Sequence, residues 1–146
     1  YTGRSFILPT TAEREQAVRM KLHPVRPVIE GKRVVLVDDS LVRGTTASIL
    51  VKLVREAGGK EVHLRLGSPE LKWPCFFGID VPTRKELISN RLTQEQIAEQ
   101  IGADSVKFMS LDTLADCVGP SDGFCYACFN GNYPIEVTDR LKELEI

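Results

Sequence analysis

The run Arg33-Val-Val-Leu-Val-Asp38-Asp39-Ser40-Leu-Val-Arg43-Gly44-Thr45-Thr46 constrains this chain more than any other stretch. Residues Arg33 to Val37 are mostly β-branched and apolar. That is the composition of a strand covered on both faces in a parallel sheet. Two carboxylates close the strand, and a Gly-Thr-Thr loop leads into Ala47–Ala57. There Ile49, Leu50, Leu53, Val54 and Ala57 make one apolar face at helical spacing. Gly58-Gly59 stops the helix, because glycine takes the left-handed cap conformation freely. In open α/β sheets, the crevice beyond such strand ends is where ligands bind.

The chemistry follows from the parts. The amides of Arg43, Gly44, Thr45 and Thr46 lie at or near a helix N-terminus, where free N–H groups and the helix dipole favour a phosphate. The Thr45 and Thr46 hydroxyls can donate to its oxygens, and Ser40 lies within the same loop. Asp38 and Asp39 repel phosphate and instead suit two vicinal hydroxyls, directly or through hydrated Mg2+. The loop therefore reads as a cradle for ribose 5-phosphate. On its own, the Asp-Asp pair also fits a loop end that only caps the next helix.

The run lacks the Gly-x-x-x-x-Gly-Lys-Ser/Thr phosphate loop and the Gly-x-Gly-x-x-Gly dinucleotide fingerprint. As a whole it resembles the phosphoribosyl pyrophosphate (PRPP) motif of type I phosphoribosyltransferases. Its Ser-x-Val-Arg-Gly-Thr-Thr continuation is similar to that of the glutamine PRPP amidotransferases.

The 146 residues suffice for one domain, and 42% hydrophobic with 27% charged residues is ordinary for a soluble globular chain. A net charge of −1 gives no electrostatic reason to expect nucleic acid or an anionic membrane as partner. No apolar run approaches the roughly 18 residues of a membrane span, and no secretory segment opens the chain. A start at Tyr1, inside a loop-like sequence, suggests a piece of something longer. Four cysteines with one Cys-x-x-Cys point to cytosolic metal or redox chemistry rather than a disulfide scaffold.

In chain order, Tyr1–Thr10 reads as a loop or strand end, and Thr10 with Glu13 has capping-box spacing for a helix from about Ala12 to Met20. Arg14, Arg19, Lys21 and Arg26 make that region basic, which a solvated face also explains. Glu61–Leu66 alternates as a second parallel strand nearer a sheet edge, with His63 an exposed strand residue. Gly67-Ser68-Pro69 ends it at the same sheet edge as Asp38 and Asp39. Trp73–Asp80 reads as a buried aromatic plug. Thr83 with Glu86, and Thr93 with Gln96, predict two further capped helices. Ser105–Met109 is a short strand, Ser110 caps a helix to about Cys117, and Glu136–Ile146 is a terminal helix.

Cys125 and Cys128 have the spacing that lets two thiolates reach one metal centre. A redox dithiol and two unrelated core cysteines fit the pair as well. Phe124, Tyr126 and Phe129 offer a dry shell. Pro-Cys75-Phe-x-Gly-Ile-Asp and Cys125-x-Ala-Cys128-Phe-x-Gly-x-Tyr-Pro resemble the iron–sulfur subclass of the amidotransferases. That resemblance implies that Cys75, Cys125 and Cys128 ligate a structural [4Fe–4S] cluster, with the fourth ligand upstream of this chain. Cys117 could by number complete a four-cysteine site, but it sits on a predicted helix, matches no ligand of the family and reads as core.

The resemblance covers nearly the whole chain and carries further expectations. It implies an incomplete type I phosphoribosyltransferase fold, a Rossmann-like parallel α/β sheet with flanking helices, over residues 1–116. A cysteine-containing helical segment, 117–146, would pack on it. The implied enzyme is a cytoplasmic, homo-oligomeric glycosyltransferase of purine synthesis, in which ammonia from glutamine displaces the pyrophosphate of PRPP to give 5-phosphoribosylamine. Asp38 and Asp39 would hold the ribose diol with Mg2+ nearby, and Ser40, Arg43, Gly44, Thr45 and Thr46 the 5-phosphate. Arg4 and Lys21, on a mobile loop, would stabilise the pyrophosphate. Tyr1, Phe6 and Ile7 would line an ammonia route. His23 stands where the family has Asn. Purine nucleotides are the implied feedback ligands, and a glutaminase domain is missing, so the piece alone should be inactive. The alternatives are a non-catalytic nucleotide sensor containing a metal, and a phosphoribosyltransferase acting on a free base, against which the cysteine motifs and loop argue.

Overall fold

The computed structural model describes residues 11–78, 83–119 and 123–136. The expectations placed on Tyr1, Arg4, Phe6, Ile7, Thr10 and the terminal helix beyond Glu136 lie outside them. The described elements are α1 (Thr11–Lys21), α2 (Arg26–Ile29), β1 (Arg33–Asp38), α3 (Thr45–Glu56), β2 (Glu61–Leu66), α4 (Gln94–Ile101), β3 (Ser105–Phe108), α5 (Leu111–Val118) and α6 (Ala127–Asn130). Two 3-10 turns, Arg84–Glu86 and Ile88–Asn90, stand before α4.

The strands form one parallel sheet in the order β1-β2-β3, with Asp38 opposite Leu66 and Leu66 opposite Phe108. This is the expected α/β class. Residues of one sheet face, Val62, Leu64, Leu66 and Val106, join Ala47, Val51 and Val54 of α3 and Ile97, Ala98 and Ile101 of α4 in the main core. Val34, Leu36 and Phe108 pack against the same cluster. Alternation sends Val35 and Val37 to the other face, where they are 57% and 79% exposed. The expectation of a strand covered on both faces is thus corrected: among the described residues, β1 is covered on one. The edge position expected for the second strand is corrected too, since β2 lies between the other two described strands.

Helix α3 buries more than the expected single face. Ala47, Val51 and Val54 meet the sheet, while Ile49 and Leu53 cluster with Val18 of α1. A helix between two partners needs apolar residues on both sides. Helix α4 follows its sequence signal closely: Thr93 and Gln96 form a reciprocal capping box, and Gly102 ends the helix in the left-handed region. Ser110 caps α5 through the Thr113 amide.

Thr83 does not cap a helix. Leu87 is extended and splits the segment into two 3-10 turns. Neighbouring helical residues point about 100° apart, and Leu87 and Ile88 are both fully buried. The break lets both side chains enter the core. His63 is also not simply exposed. Its Nδ1 lies 2.9 Å from Ser105 Oγ and its Nε2 lies 3.2 Å from Glu61. Glu61 can only accept, so Nε2–H donates to it; in the neutral ring Nδ1 then accepts from the Ser105 hydroxyl, whose oxygen also accepts from Arg65 at 3.0 Å.

Candidate functional site

The loop between β1 and α3 gathers seven of the expected residues: Asp38, Asp39, Ser40, Arg43, Gly44, Thr45 and Thr46. Asp38 ends β1, half-buried, and accepts the Asp39 amide at 3.0 Å. Burial lifts its carboxyl above the usual range, the Asp39 amide opposes that rise, and the Asp39 charge adds to it. Asp39 is exposed and accepts the Ser40 hydroxyl at 3.0 Å. The Gly67 amide donates to the Asp38 carbonyl at 2.9 Å, which brings the end of β2 beside the two acids.

Gly44 precedes α3 at φ 81°, and no side chain caps the helix. The first amide to close onto it is that of Ser48, on the Gly44 carbonyl. The amides of Thr45, Thr46 and Ala47 come before that bond, so the helix start offers free donors to an anion. Glycine is needed at position 44 twice over. Its backbone is left-handed, and an added Cβ would lie 2.9 Å from Ile88 Cδ1. The Arg43 guanidinium meets Glu86 at 2.8 and 2.9 Å, turning toward the double turn. Lys21 closes α1 and is exposed. Arg4 lies outside the described residues.

A second region holds the cysteines. The carbonyl of Cys128 accepts the amides of Lys72 and Trp73 at 3.0 and 3.1 Å. Tyr133 donates to the Pro74 carbonyl at 2.8 Å, and its ring lies 5.2 Å from that of Phe76. Cys75 Sγ accepts the Phe77 amide at 3.4 Å, the kind of bond that stabilises a sulfur carrying negative charge. Burial pushes the Cys128 thiol up to about 11, and Cys75 and Cys125 both add to the rise. Positive charge bound there would oppose that rise. Among the described residues, however, no three cysteine, histidine or carboxylate groups converge on one ion position. The donor set suits a metal centre in chemistry, without an assembled single-ion geometry. The buried Tyr126 hydroxyl has no hydrogen-bond partner among the described residues.

The expected dry shell is open, with Cys125 exposed and Phe124 52% exposed. Phe77 is 45% exposed, so the 73–80 stretch is only partly a plug. Cys117 is exposed rather than core, because α5 buries none of its residues. Of the C-terminal helical segment, the single turn α6 is described along with the end of α5.

Against known proteins, the chain is 56% identical over 140 residues to amidophosphoribosyltransferase 1, chloroplastic, of Arabidopsis thaliana, covering 95% of this chain and 25% of that protein. It is 56% identical over 137 residues to the amidophosphoribosyltransferase of Methanocaldococcus jannaschii, covering 94% and 29%. This chain is homologous to a segment of the amidophosphoribosyltransferases. Its structure matches that of glutamine PRPP amidotransferase from B. subtilis complexed with ADP and GMP, with a TM-score of 0.77 at 50% identity, over 94% of this chain and 31% of that one. No family model matches the chain. The chain thus spans about a quarter to a third of the length of these relatives. Among the described residues, no helix is long and apolar enough to cross a membrane.

The sequence gives no sign that Glu86, Leu87, Ile88 and Asn90 lie against this loop and the cysteine-bearing stretch. The apolar pair was visible, but its place beneath a loop more than 40 residues earlier was not. The Ile88 amide donates to the Val42 carbonyl at 2.9 Å, a contact that no local pattern announces.

Proposed function

We propose that this chain is the part of an amidophosphoribosyltransferase that holds the ribose 5-phosphate of PRPP. The observation that carries the reading is the uncapped start of α3 behind left-handed Gly44, with the Asp38 and Asp39 carboxylates at the adjoining strand end. Phosphate goes to the amides and hydroxyls of Thr45 and Thr46, with Ser40 and Arg43 flanking. The ribose diol goes to the two acids. Mg2+ would be held at Asp38 and Asp39, where it offsets the charge of the pyrophosphate. Arg4 and Lys21 would add positive charge as that group leaves. Ammonia is already a nucleophile, so positioning and charge stabilisation are what the site must supply.

Cys75, Cys125 and Cys128 would hold a [4Fe–4S] cluster with a fourth ligand elsewhere in the full-length chain, and the cluster would brace the fold. Residues 1–116 belong to the phosphoribosyltransferase domain in this reading, and 117–146 form the segment packed on it. Purine nucleotides present the same ribose 5-phosphate and are expected to compete for the loop. The full protein would be an oligomer carrying a glutaminase domain and working in a thiol-reducing compartment such as the cytoplasm.

The test uses the full-length protein. It is expected to release pyrophosphate from PRPP in the presence of glutamine and Mg2+, and the Asp38→Asn/Asp39→Asn variant to lose PRPP affinity by more than about tenfold, the order of one lost charge-assisted contact pair. Unchanged affinity in that variant would remove the acids from the site. Equal affinity for PRPP and purine monophosphates, without ammonia-dependent turnover, would favour the sensor reading.

A further inference from the structure

The loop and the cysteine region are joined by one contiguous set of contacts through the double turn at residues 84–90. On the cysteine side, the Cys128 carbonyl holds the Lys72 and Trp73 amides. The Asn90 side-chain amide then donates both to the Lys72 carbonyl at 2.9 Å and to the Arg84 carbonyl at 3.1 Å. The Arg84 guanidinium lies 3.9 Å from the Trp73 ring centroid. Gly131 lies against the same ring, so close that an added Cβ would be 2.7 Å from it. On the loop side, Glu86 holds Arg43, and Ile88 holds the Val42 carbonyl.

We propose that Asn90 is a positioning residue that couples the phosphate loop to the cysteine-bearing segments, with Glu86 as the anchor on the loop side. The inference rests on the reading of the loop as a PRPP site. A phosphate bound to the α3 amides fixes Val42–Thr46. That fixes Ile88 and the double turn, and Asn90 passes the order on to the Lys72–Trp73 amides that hold Cys128. The Asn90 amide suits the task because it donates twice, to carbonyls on two separate segments. Ordering that is already in place need not be supplied again by a second event, so the effect is reciprocal.

The experiment is amide hydrogen exchange on full-length protein with and without PRPP, paired with PRPP affinity. In wild type, PRPP is expected to slow exchange in the peptide covering residues 70–78 by about fivefold or more, the lower end of ordinary coupling. Asn90→Asp keeps the shape but loses the donor. It is expected to abolish that slowing and to weaken PRPP binding by a similar factor. Glu86→Gln, at an exposed carboxylate that the core does not need, is expected to reduce both in parallel. A wild-type protein that binds PRPP without slowing at 70–78 overturns the coupling and leaves the loop reading intact. Full slowing retained in Asn90→Asp overturns it as well. A wild type that does not bind PRPP defeats the loop reading, and the inference with it.

Discussion

The loop between β1 and α3 and the cysteine region are built in opposite ways. The loop is one continuous stretch between a strand and a helix, and its scaffold is the main core: Gly44 rests on Ile88, and both are buried. The cysteine region is assembled from two stretches about 50 residues apart, held by backbone bonds to the Cys128 carbonyl and by aromatic contacts near the surface. A site of the first kind inherits the stability of the core beneath it. A site of the second kind depends on whatever fastens its pieces, so a bound group would stabilise it more than it would the first.

Ile88→Ala puts the largest strain on this comparison. Removing a fully buried isoleucine side chain is expected to cost about 2–5 kcal/mol, read by denaturant unfolding, and PRPP affinity should fall with it because the loop loses its support. A cost below about 1 kcal/mol would mean that the loop does not depend on the core in this way. Next comes a matched pair. Gly44 and Gly131 are both left-handed, at φ 81° and 80°, and a Cβ at either would press on a neighbour, Ile88 or Trp73. Alanine at each is expected to cost about 1–3 kcal/mol. The two should part in function: Gly44→Ala abolishes PRPP binding, whereas Gly131→Ala weakens it no more than several-fold and speeds exchange around Cys128. Equal losses of binding would erase the distinction between the regions.

The smallest effect is expected from Asp104, at the opposite end of the sheet from the loop. Its carboxylate accepts the Val62 amide and Arg55, both at 2.6 Å. Chiefly the Val62 amide, with help from Arg55, holds it below the usual carboxylate range. A depressed folded-state value contributes stability above the unfolded value near pH 4, and that contribution is lost as pH falls through the folded value. The stability difference between wild type and Asp104→Asn should therefore be constant from pH 8 to about pH 5 and shrink below about pH 4. Neither PRPP affinity nor exchange around Cys128 should change. A change in either would tie this end of the sheet to the sites.

Much of the fold is legible locally. The strands Arg33–Asp38 and Glu61–Leu66, the Thr93–Gln96 capping box and the Ser110 cap all form where residue periodicity and cap chemistry place them. Such signals involve residues a few positions apart, which interact in almost any context. Thr83 and Glu86 carry the same spacing, yet tertiary burial of Leu87 and Ile88 breaks the helix between them. Cys117 looks like core by residue type, but nothing covers it among the described residues.

By itself, the sequence determined the local unit: a strand ending in two acids, followed by Gly-Thr-Thr at a helix start, the arrangement from which the sugar-phosphate proposal is argued. It also marked Cys125 and Cys128 as a candidate pair by their spacing. Only the tertiary structure decided what supports the loop, which face of the sheet stays open, and which side chains join loop to cysteines. Those outcomes rest on contacts between residues tens of positions apart, and burial chooses among them only once the whole core has closed.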